Sequence, residues 1–221
     1  KIRTKQKLFT TATPRTYSSN VKKAAKDQEI IVTGMDDEKV FGSVFHKLSF
    51  CDAINNKPPL LTDYQVVIVG VNDDMIKERI DERKLIEIEE GLSVDAETLA
   101  TQIAVLKAVK DYNLKRLITF HGRVSRAEHF SRDIQAASKV IPKKELPKGI
   151  IKSDYVSGKM PSNKRKQKLD QLKQLFDCDR QILSNARCLS EGVDVPALDG
   201  IAIIDPRRSQ IDIVQIVGRA I

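Results

Sequence analysis

The chain has 221 residues, of which 41% are hydrophobic and 31% charged, a composition typical of a globular protein and not of a collagen-like or disordered one. The longest apolar run, residues 66–71, is too short to span a bilayer, so we expect no membrane partner. An odd number of cysteines without metal-ligand spacing and a basic start without a secretory segment predict a reduced, cytoplasmic protein.

The positive charge lies in one half of the chain. Residues 1–115 contain 18 basic and 18 acidic residues, whereas residues 116–221 contain 20 basic and 12 acidic residues and carry the whole net charge of +8. A cationic half beside a neutral one indicates a surface that faces a polyanion, although many basic surfaces only keep a protein in solution.

The first sixty residues predict few regular elements. Residues 7–14 indicate a short strand that ends in a turn at Pro14, and residues 29–32 indicate another strand. Helices are predicted at residues 18–27 and near residues 49–56, with Pro58 and Pro59 ending the second. Because regular alternation starts only later, a domain boundary is expected near residues 60–65.

The middle of the chain begins with residues 64–71, a β-branched and almost continuously apolar run that predicts a strand buried on both faces. The charged residues 72–90 indicate a surface insertion or a helix. Asp95 is a suitable cap for the helix that follows. The apolar side of that helix carries Leu99, Ile103, Leu106 and Val109.

Strands and helices then alternate to the end of the chain. Strands are expected at residues 116–120, 155–157, 181–184 and 201–204, and helices at residues 124–139, from Ser162 as cap, and from Gln210 onward. The buried side of the second of these helices is predicted to carry Leu169, Leu172, Leu175 and Phe176. This alternation predicts an α/β fold with a parallel sheet covered on both faces.

Several sites of known chemistry are missing from the sequence. No glycine-rich loop is followed by Lys-Ser/Thr, so a phosphate loop is not expected. Asp73 and Asp74 follow an apolar run but fit a surface turn better than a magnesium site. None of the three histidines has a ligand partner at helical spacing, so no metal site is expected. By itself the chain has no complete catalytic apparatus.

The last forty residues contain polar groups suited to a nucleotide. Gly192 permits close backbone approach, and Asp194 can accept hydrogen bonds from sugar hydroxyls. Gln215 and Arg219 are one helical turn apart and project from the same side of a helix. An arginine so placed can neutralise developing phosphoryl charge. Each fragment alone is also common in turns or on solvated surfaces.

Five segments together resemble the motifs of superfamily 2 helicases and translocases. Residues 192–196 (Gly-Val-Asp-Val-Pro) are similar to motif V and residues 215–219 (Gln-x-x-Gly-Arg) to motif VI. Residues 11–14 (Thr-Ala-Thr-Pro) resemble motif III, which couples ATP hydrolysis to movement. Residues 117–121 resemble motif IV, and residues 157–160 with Arg165 resemble the stretch that follows it. The five matches occur in the family's order and cover nearly the whole chain.

Within the superfamily, the chain is most similar to motor subunits of ATP-dependent restriction enzymes. The Ala-Thr-Pro-Arg start, the Leu-Thr-Asp-Tyr stretch at residues 61–64 and the long loop at residues 185–192 resemble these motors. Single-chain enzymes of the Type ISP kind show the greatest similarity.

The resemblance implies a fold, partners and cofactors. Residues 1–62 would be the end of a first RecA-like lobe with its connector, and residues 63–221 a second RecA-like lobe, truncated at its end. The phosphate loop and the Asp-Glu magnesium box would lie upstream, in the missing part of the first lobe. The full-length protein would use ATP and Mg²⁺, bound mainly by that lobe, and would bind DNA in preference to RNA.

The resemblance also implies roles for individual residues. Arg219 and Gln215 would be catalytic, Gly192 and Asp194 would bind the nucleotide, and Thr11 and Thr13 would couple hydrolysis to movement. Contacts with nucleic acid are expected from three loops. Their residues are His121, Gly122, Arg123, Gly158, Lys159, Ser184, Asn185 and Arg187.

Two features depart from the family. Ala186 stands where many relatives have a threonine that contacts a phosphate, and the chain stops at Ile221, where a second motif VI arginine would follow.

Other interpretations stay open. Thr13 also suits a plain turn, residues 121–123 a polar loop, and Lys164, Arg165, Lys166 and Lys168 a solvated helix face. A non-catalytic basic α/β nucleic-acid-binding module is the alternative function. A complete small nucleotide-binding protein is disfavoured by the absent phosphate loop.

Overall fold

A computed structural model describes residues 7–70, 85–89, 92–186, 188, 198–207 and 209–218 of the chain. Its contacts divide the chain into two compact units, Lys1–Asp63 and Tyr64–Ile221.

Over residues 7–63, the first unit contains three short helices, each opened by a side chain that accepts a backbone N–H. They are α1 (Ser19–Asp27), α2 (Glu38–Phe41) and α3 (Phe50–Asn55). The cap of α3 is a capping box in which Ser49 and Asp52 satisfy each other's backbone N–H groups. The helices predicted for residues 18–27 and near residues 49–56 are therefore confirmed.

Three predicted strands are wrong for the residues that are described. Residues 7–14, 29–32 and 64–70 have no strand conformation, and Ile31 and Ile68 are 93% and 96% exposed. A β-branched apolar run favours an extended backbone, but a strand also needs a neighbour to accept and donate its hydrogen bonds. These segments have no such neighbour in the described part of the chain.

The first strands described in the second unit are β1 (Leu85–Glu89) and β2 (Leu92–Asp95), which pair antiparallel. Of the two alternatives expected for residues 72–90, the helix is thus wrong for residues 85–89, which form a strand. The surface insertion stays a prediction, and the rest of residues 72–90 lies outside the described residues. Asp95 caps helix α4 (Ala96–Asp111) by accepting the Thr98 N–H at 2.9 Å. The four apolar residues predicted for its buried side are all buried.

In the described residues, a four-stranded parallel sheet forms the centre of this unit. Its strands are β3 (Arg116–His121), β4 (Ile151–Ser157), β5 (Arg180–Ala186) and β6 (Gly200–Ile203), in the order β4-β5-β3-β6. The connecting helices are α5 (Val124–Val140), α6 (Ser162–Gln174) and α7 (Gln210–Val217). A short 3₁₀ helix, Lys143–Glu145, precedes β4.

Helices cover both faces of this sheet, because alternate residues of each strand enter different cores. Leu117 and Ile182 pack with apolar residues of α4 and α5, whereas Ile118 and Leu183 pack with Leu169 and Leu172 of α6 and Ile216 of α7. Strands buried on both faces are characteristic of parallel sheets. The structure confirms the predicted α/β fold.

Two details of α6 differ from the prediction. The residue before the helix is Pro161, which makes no side-chain capping bond, so Ser162 is the first helical residue and not its cap. Phe176 is 54% exposed, because Leu175 ends the helix in the left-handed conformation (φ 51°) and turns the chain away from the sheet.

None of the helices in the described residues is long and apolar enough to cross a membrane. Cys51, Cys178 and Cys188 are free thiols, and burial raises the pKa of Cys178.

Candidate functional site

The carboxyl ends of three neighbouring strands meet at one edge of the sheet. The register pairs His121 of β3 with Ala186 of β5, and Ala186 with Ser157 of β4. The loops that follow these strands therefore start side by side, although they are far apart in the sequence. Ligands of open parallel sheets bind at this edge. Three of the segments predicted to contact nucleic acid are thus brought together.

A row of buried polar side chains supports this edge from inside. The Thr119 hydroxyl lies 2.9 Å from His121 Nε2 and donates to Ser184 Oγ at 3.0 Å. All three side chains are buried, and the His121 ring packs against Phe130 of α5, with 4.9 Å between ring centroids. The hydrogen bonds and the ring contact hold the ends of β3 and β5 together.

Burial lowers the pKa of His121 from 6.5 to about 4. The carboxylate of Asp205 raises this pKa, and the guanidinium groups of Arg126 and Arg207 lower it. The imidazole is therefore neutral at physiological pH and serves the structure of the strand end.

The exposed groups at this edge come from the loops. Arg123 is exposed just before α5, and Gly158 and Lys159 are exposed in the turn after β4, which the Met160 N–H closes on the Ser157 carbonyl at 3.1 Å. Asn185, by contrast, is buried, and its side-chain oxygen accepts the Cys188 N–H at 3.3 Å. Of the predicted nucleic-acid residues that are described, Arg123 and Lys159 offer a cation to solvent.

Sequence reasoning missed the segment that connects β6 to α7. There Asp205 accepts the Gly122 N–H at 2.5 Å and pairs with the Arg126 guanidinium. Arg207 donates from Nη2 to the His121 carbonyl at 3.0 Å. The available signal was the position of Asp205 just past a predicted parallel strand, the same rule that singled out residues 121–123.

The predicted nucleotide residues are only partly described. Gln215 is half-buried on α7, next to the buried Ile216. Arg187, Gly192, Asp194 and Arg219 lie outside the described residues, so no geometry is assigned to them. In the first unit, the Thr13 N–H donates to Thr11 Oγ1 at 3.1 Å, which closes a local turn around the two predicted coupling residues.

The basic face of α6 is partly occupied by contacts within the protein. Lys168 pairs with Asp154, and its ammonium lies 5.7 Å from the centre of the Tyr155 ring. Lys164 and Lys166 are exposed on the same helix. Within the described residues, no group of three His, Cys, Asp or Glu side chains is arranged to hold a metal ion.

Comparisons with known proteins agree with this architecture. A search of curated proteins found no match. Among solved structures, the chain is similar to the ATP-dependent Type ISP restriction-modification enzyme LlaBIII bound to DNA, with a TM-score of 0.63 and 29% sequence identity. The match covers 86% of this chain but only 13% of that enzyme.

The matched part of that enzyme supports a RecA-like second lobe of a superfamily 2 helicase as the fold of this chain. A family model described as "Helicase conserved C-terminal domain" matches residues 103–221, which is more than half of the chain. The chain belongs to the helicase conserved C-terminal domain family.

Proposed function

We propose that the full-length protein is an ATP-dependent DNA translocase or helicase of a cytoplasmic restriction-modification or defence enzyme, and that this chain supplies its second RecA-like lobe. The observation that carries the proposal is the common edge at which β3, β4 and β5 end. Family membership and similarity to a DNA-bound enzyme support the same conclusion.

The loops at this edge would hold one DNA strand by its phosphates. Arg123 and Lys159 supply exposed positive charge, and Gly158, exposed beside Lys159, has no side chain to hinder the approach of a phosphate. Ser184 and Asn185 are buried at the end of β5 and would support this loop from inside, so the phosphate contact of that segment would fall to Arg187. Contacts of this kind do not depend on base sequence and weaken steeply with salt.

The nucleotide would bind on the side of α7, opposite the phosphate loop of the first lobe. Arg219 would neutralise charge on the transferred phosphoryl group, Gln215 would help to orient the reacting groups, and Gly192 and Asp194 would contact the ribose. The buried Ile216 anchors α7 to the sheet, which gives Gln215 a fixed base. ATP hydrolysis would supply the free energy for movement. Mg²⁺ would be held mainly by the first lobe.

Exposed strand-type segments support the first lobe as a partner. Val66 and Ile68 are 78% and 96% exposed, and Ile31 is 93% exposed, although their composition suits a buried sheet. A sheet of the first lobe would bury Ile31 and complete the hydrogen bonds of its segment. In that arrangement Thr11 and Thr13, residues of the segment that resembles motif III, would transmit the state of the nucleotide.

The test is DNA-stimulated ATP hydrolysis by the full-length protein, wild type against Arg219→Ala. Loss of an arginine that acts in the transition state lowers turnover by roughly a thousandfold or more, while ATP binding is largely retained. Lys144→Ala is a matched control, because Lys144 is an exposed cation in the segment that leads into the amino end of β4. It should hydrolyse ATP like the wild type.

Equal turnover of Arg219→Ala and wild type would remove the assigned role of Arg219. A full-length protein that binds DNA but shows no DNA-stimulated hydrolysis would instead be a non-catalytic binding module.

A further inference from the structure

The segment between β6 and α7 is fastened to the end of β3 by several independent contacts. The N–H groups of Ile204 and Asp205 donate to the Phe120 carbonyl, at 3.1 Å and 3.5 Å. Arg207 donates to the carbonyl of the next residue, His121. These hydrogen bonds therefore fix the backbone of residues 204–207 to the end of β3.

Asp205 extends this attachment beyond the strand into the loop. One carboxylate oxygen accepts the Gly122 N–H at 2.5 Å and the other pairs with Arg126, in the first turn of α5. The Asp205 side chain is only 13% exposed, whereas the Arg126 side chain is 60% exposed. The pKa of Asp205 is lowered: burial acts against this, but the bonds from Gly122 and Arg126 outweigh it. Asp205 is therefore a shielded anion held by the two groups that flank Arg123.

A side chain at Gly122 would collide with this arrangement. A Cβ atom there would lie 3.1 Å from the nearer oxygen of Asp205, which is closer than ordinary van der Waals contact. The Gly122 backbone and the Asp205 carboxylate are therefore in close contact.

Asp205 also lies only five residues before the start of α7. Ser209 opens that helix by accepting the Asp212 N–H at 3.3 Å, and the helix carries Gln215. Asp205 therefore lies between the loop proposed to contact DNA, residues 121–123, and α7, the helix that carries or precedes the residues proposed to act on ATP.

We propose that Asp205 is a positioning residue that couples DNA contact at residues 121–123 to the placement of α7, and so to DNA stimulation of ATP hydrolysis. This inference rests on the function proposed above. DNA held by the loop is expected to fix Gly122 and Arg126, which fix Asp205, and Asp205 determines where the chain enters α7. The carboxylate itself contacts neither DNA nor the reacting atoms.

A second carboxylate offers a matched control. Asp199, at the opposite end of β3, accepts the N–H groups of Lys115 and Arg116 with one oxygen, at 3.0 Å and 2.7 Å. Like Asp205, it ties the β6 segment to β3 by backbone hydrogen bonds, but it lies at the edge away from the candidate site. Asp199→Asn therefore measures the effect of loosening this attachment without touching the loop.

The experiment compares full-length wild type, Asp205→Asn and Asp199→Asn in ATP hydrolysis over a range of DNA concentrations. We expect Asp205→Asn to lower the ratio of DNA-stimulated to DNA-free turnover, or to raise the DNA concentration for half-maximal stimulation, by on the order of tenfold. Asp199→Asn should keep the wild-type ratio. Asp205→Glu, which retains the charge, should restore part of the loss.

Arg126→Gln provides a second route if Asp205→Asn does not fold, since the exposed Arg126 side chain can be replaced with little strain. Arg126→Gln should also lower the ratio of DNA-stimulated to DNA-free turnover. Adding it to a folded Asp205→Asn should have no further effect, because Asp205→Asn already removes the charge with which Arg126 pairs.

An unchanged ratio and an unchanged half-maximal concentration in both Asp205→Asn and Arg126→Gln would overturn the inference. An equal loss in Asp199→Asn would also overturn it, by showing a general effect of instability. Failure of the proposed function is distinguishable, because the wild type itself would then show no stimulation by DNA.

Discussion

Lowering the pH from 7 to 4 should destabilise the folded chain, and the protonation of His121 should account for a large part of the loss. The ring is buried beside Thr119 and Phe130, and burial lowers its pKa from 6.5 to about 4. The unfolded chain therefore takes up a proton at a higher pH than the folded chain. The neutral His121 ring contributes its full stabilisation above pH 6.5. This contribution is lost as the pH falls, and the loss stops near the folded pKa of about 4.

The size of the loss follows from the difference between the two pKa values. Each pKa unit corresponds to about 1.4 kcal/mol, so the free energy of unfolding should fall by about 2 kcal/mol between pH 7 and pH 5, and by about 3 kcal/mol between pH 7 and pH 4. This is a large part of the stability of a typical domain, which is about 5 to 15 kcal/mol.

The assay is urea unfolding of the 221-residue chain at several pH values, followed by circular dichroism. His121→Gln keeps a hydrogen-bonding side chain near Thr119 but does not titrate, so it should lose about 3 kcal/mol less stability than the wild type between pH 7 and pH 4. Thr119→Val is the matched control, because it removes the hydroxyl and leaves the buried ring. It should retain the pH dependence of the wild type. Parallel pH curves for wild type and His121→Gln would refute the reasoning.

Two further predictions concern a turn and the proposed DNA edge. Gly149 has φ +91°, and a Cβ there would lie 2.4 Å from an Asp179 oxygen; Gly149→Ala should lower the free energy of unfolding by about 2 kcal/mol or more in urea. Gly70→Ala, where a Cβ meets nothing within 4 Å, should change it far less, and equal losses would contradict the steric argument. Lys159→Ala should weaken DNA binding by the full-length protein and reduce the slope of log affinity against log salt by about one. The control Lys144→Ala, at an exposed residue, should leave both the DNA affinity and the salt slope unchanged. If Lys159→Ala lost affinity without a change in slope, Lys159 would not contact a phosphate.

The second unit was largely predictable, because its local signals agree with its packing. The Asp95 cap and the apolar spacing of α4 both point to the same buried side. The short strands around Ile118 and Leu183 alternate with amphipathic helices, and that pattern has few solutions other than a parallel sheet. The edge where the strands end could therefore be located, although Arg187, Gly192, Asp194 and Arg219 lie outside the described residues and their roles stay predictions.

Other features depend on contacts that composition does not encode. Residues 64–70 have the composition of a buried strand, yet Ile68 is 96% exposed, because a periodicity specifies a conformation and not the neighbour that must pair with it. The Asp205 contact was missed for a related reason. Gly122 and Asp205 are 83 residues apart in the sequence, and only the sheet brings them together.

The strand order β4-β5-β3-β6 has a consequence for the chain during its synthesis on the ribosome. β3 is made first, but both of its neighbours, β5 and β6, come from residues beyond 179. Until they emerge, Ile118 and Phe120 have no sheet in which to be buried, and Ile216 completes their side of the core only after α7 has been made. Non-local pairing of this kind folds slowly and exposes apolar surface on the way. The nascent lobe should therefore depend on chaperones until α7 has left the exit tunnel.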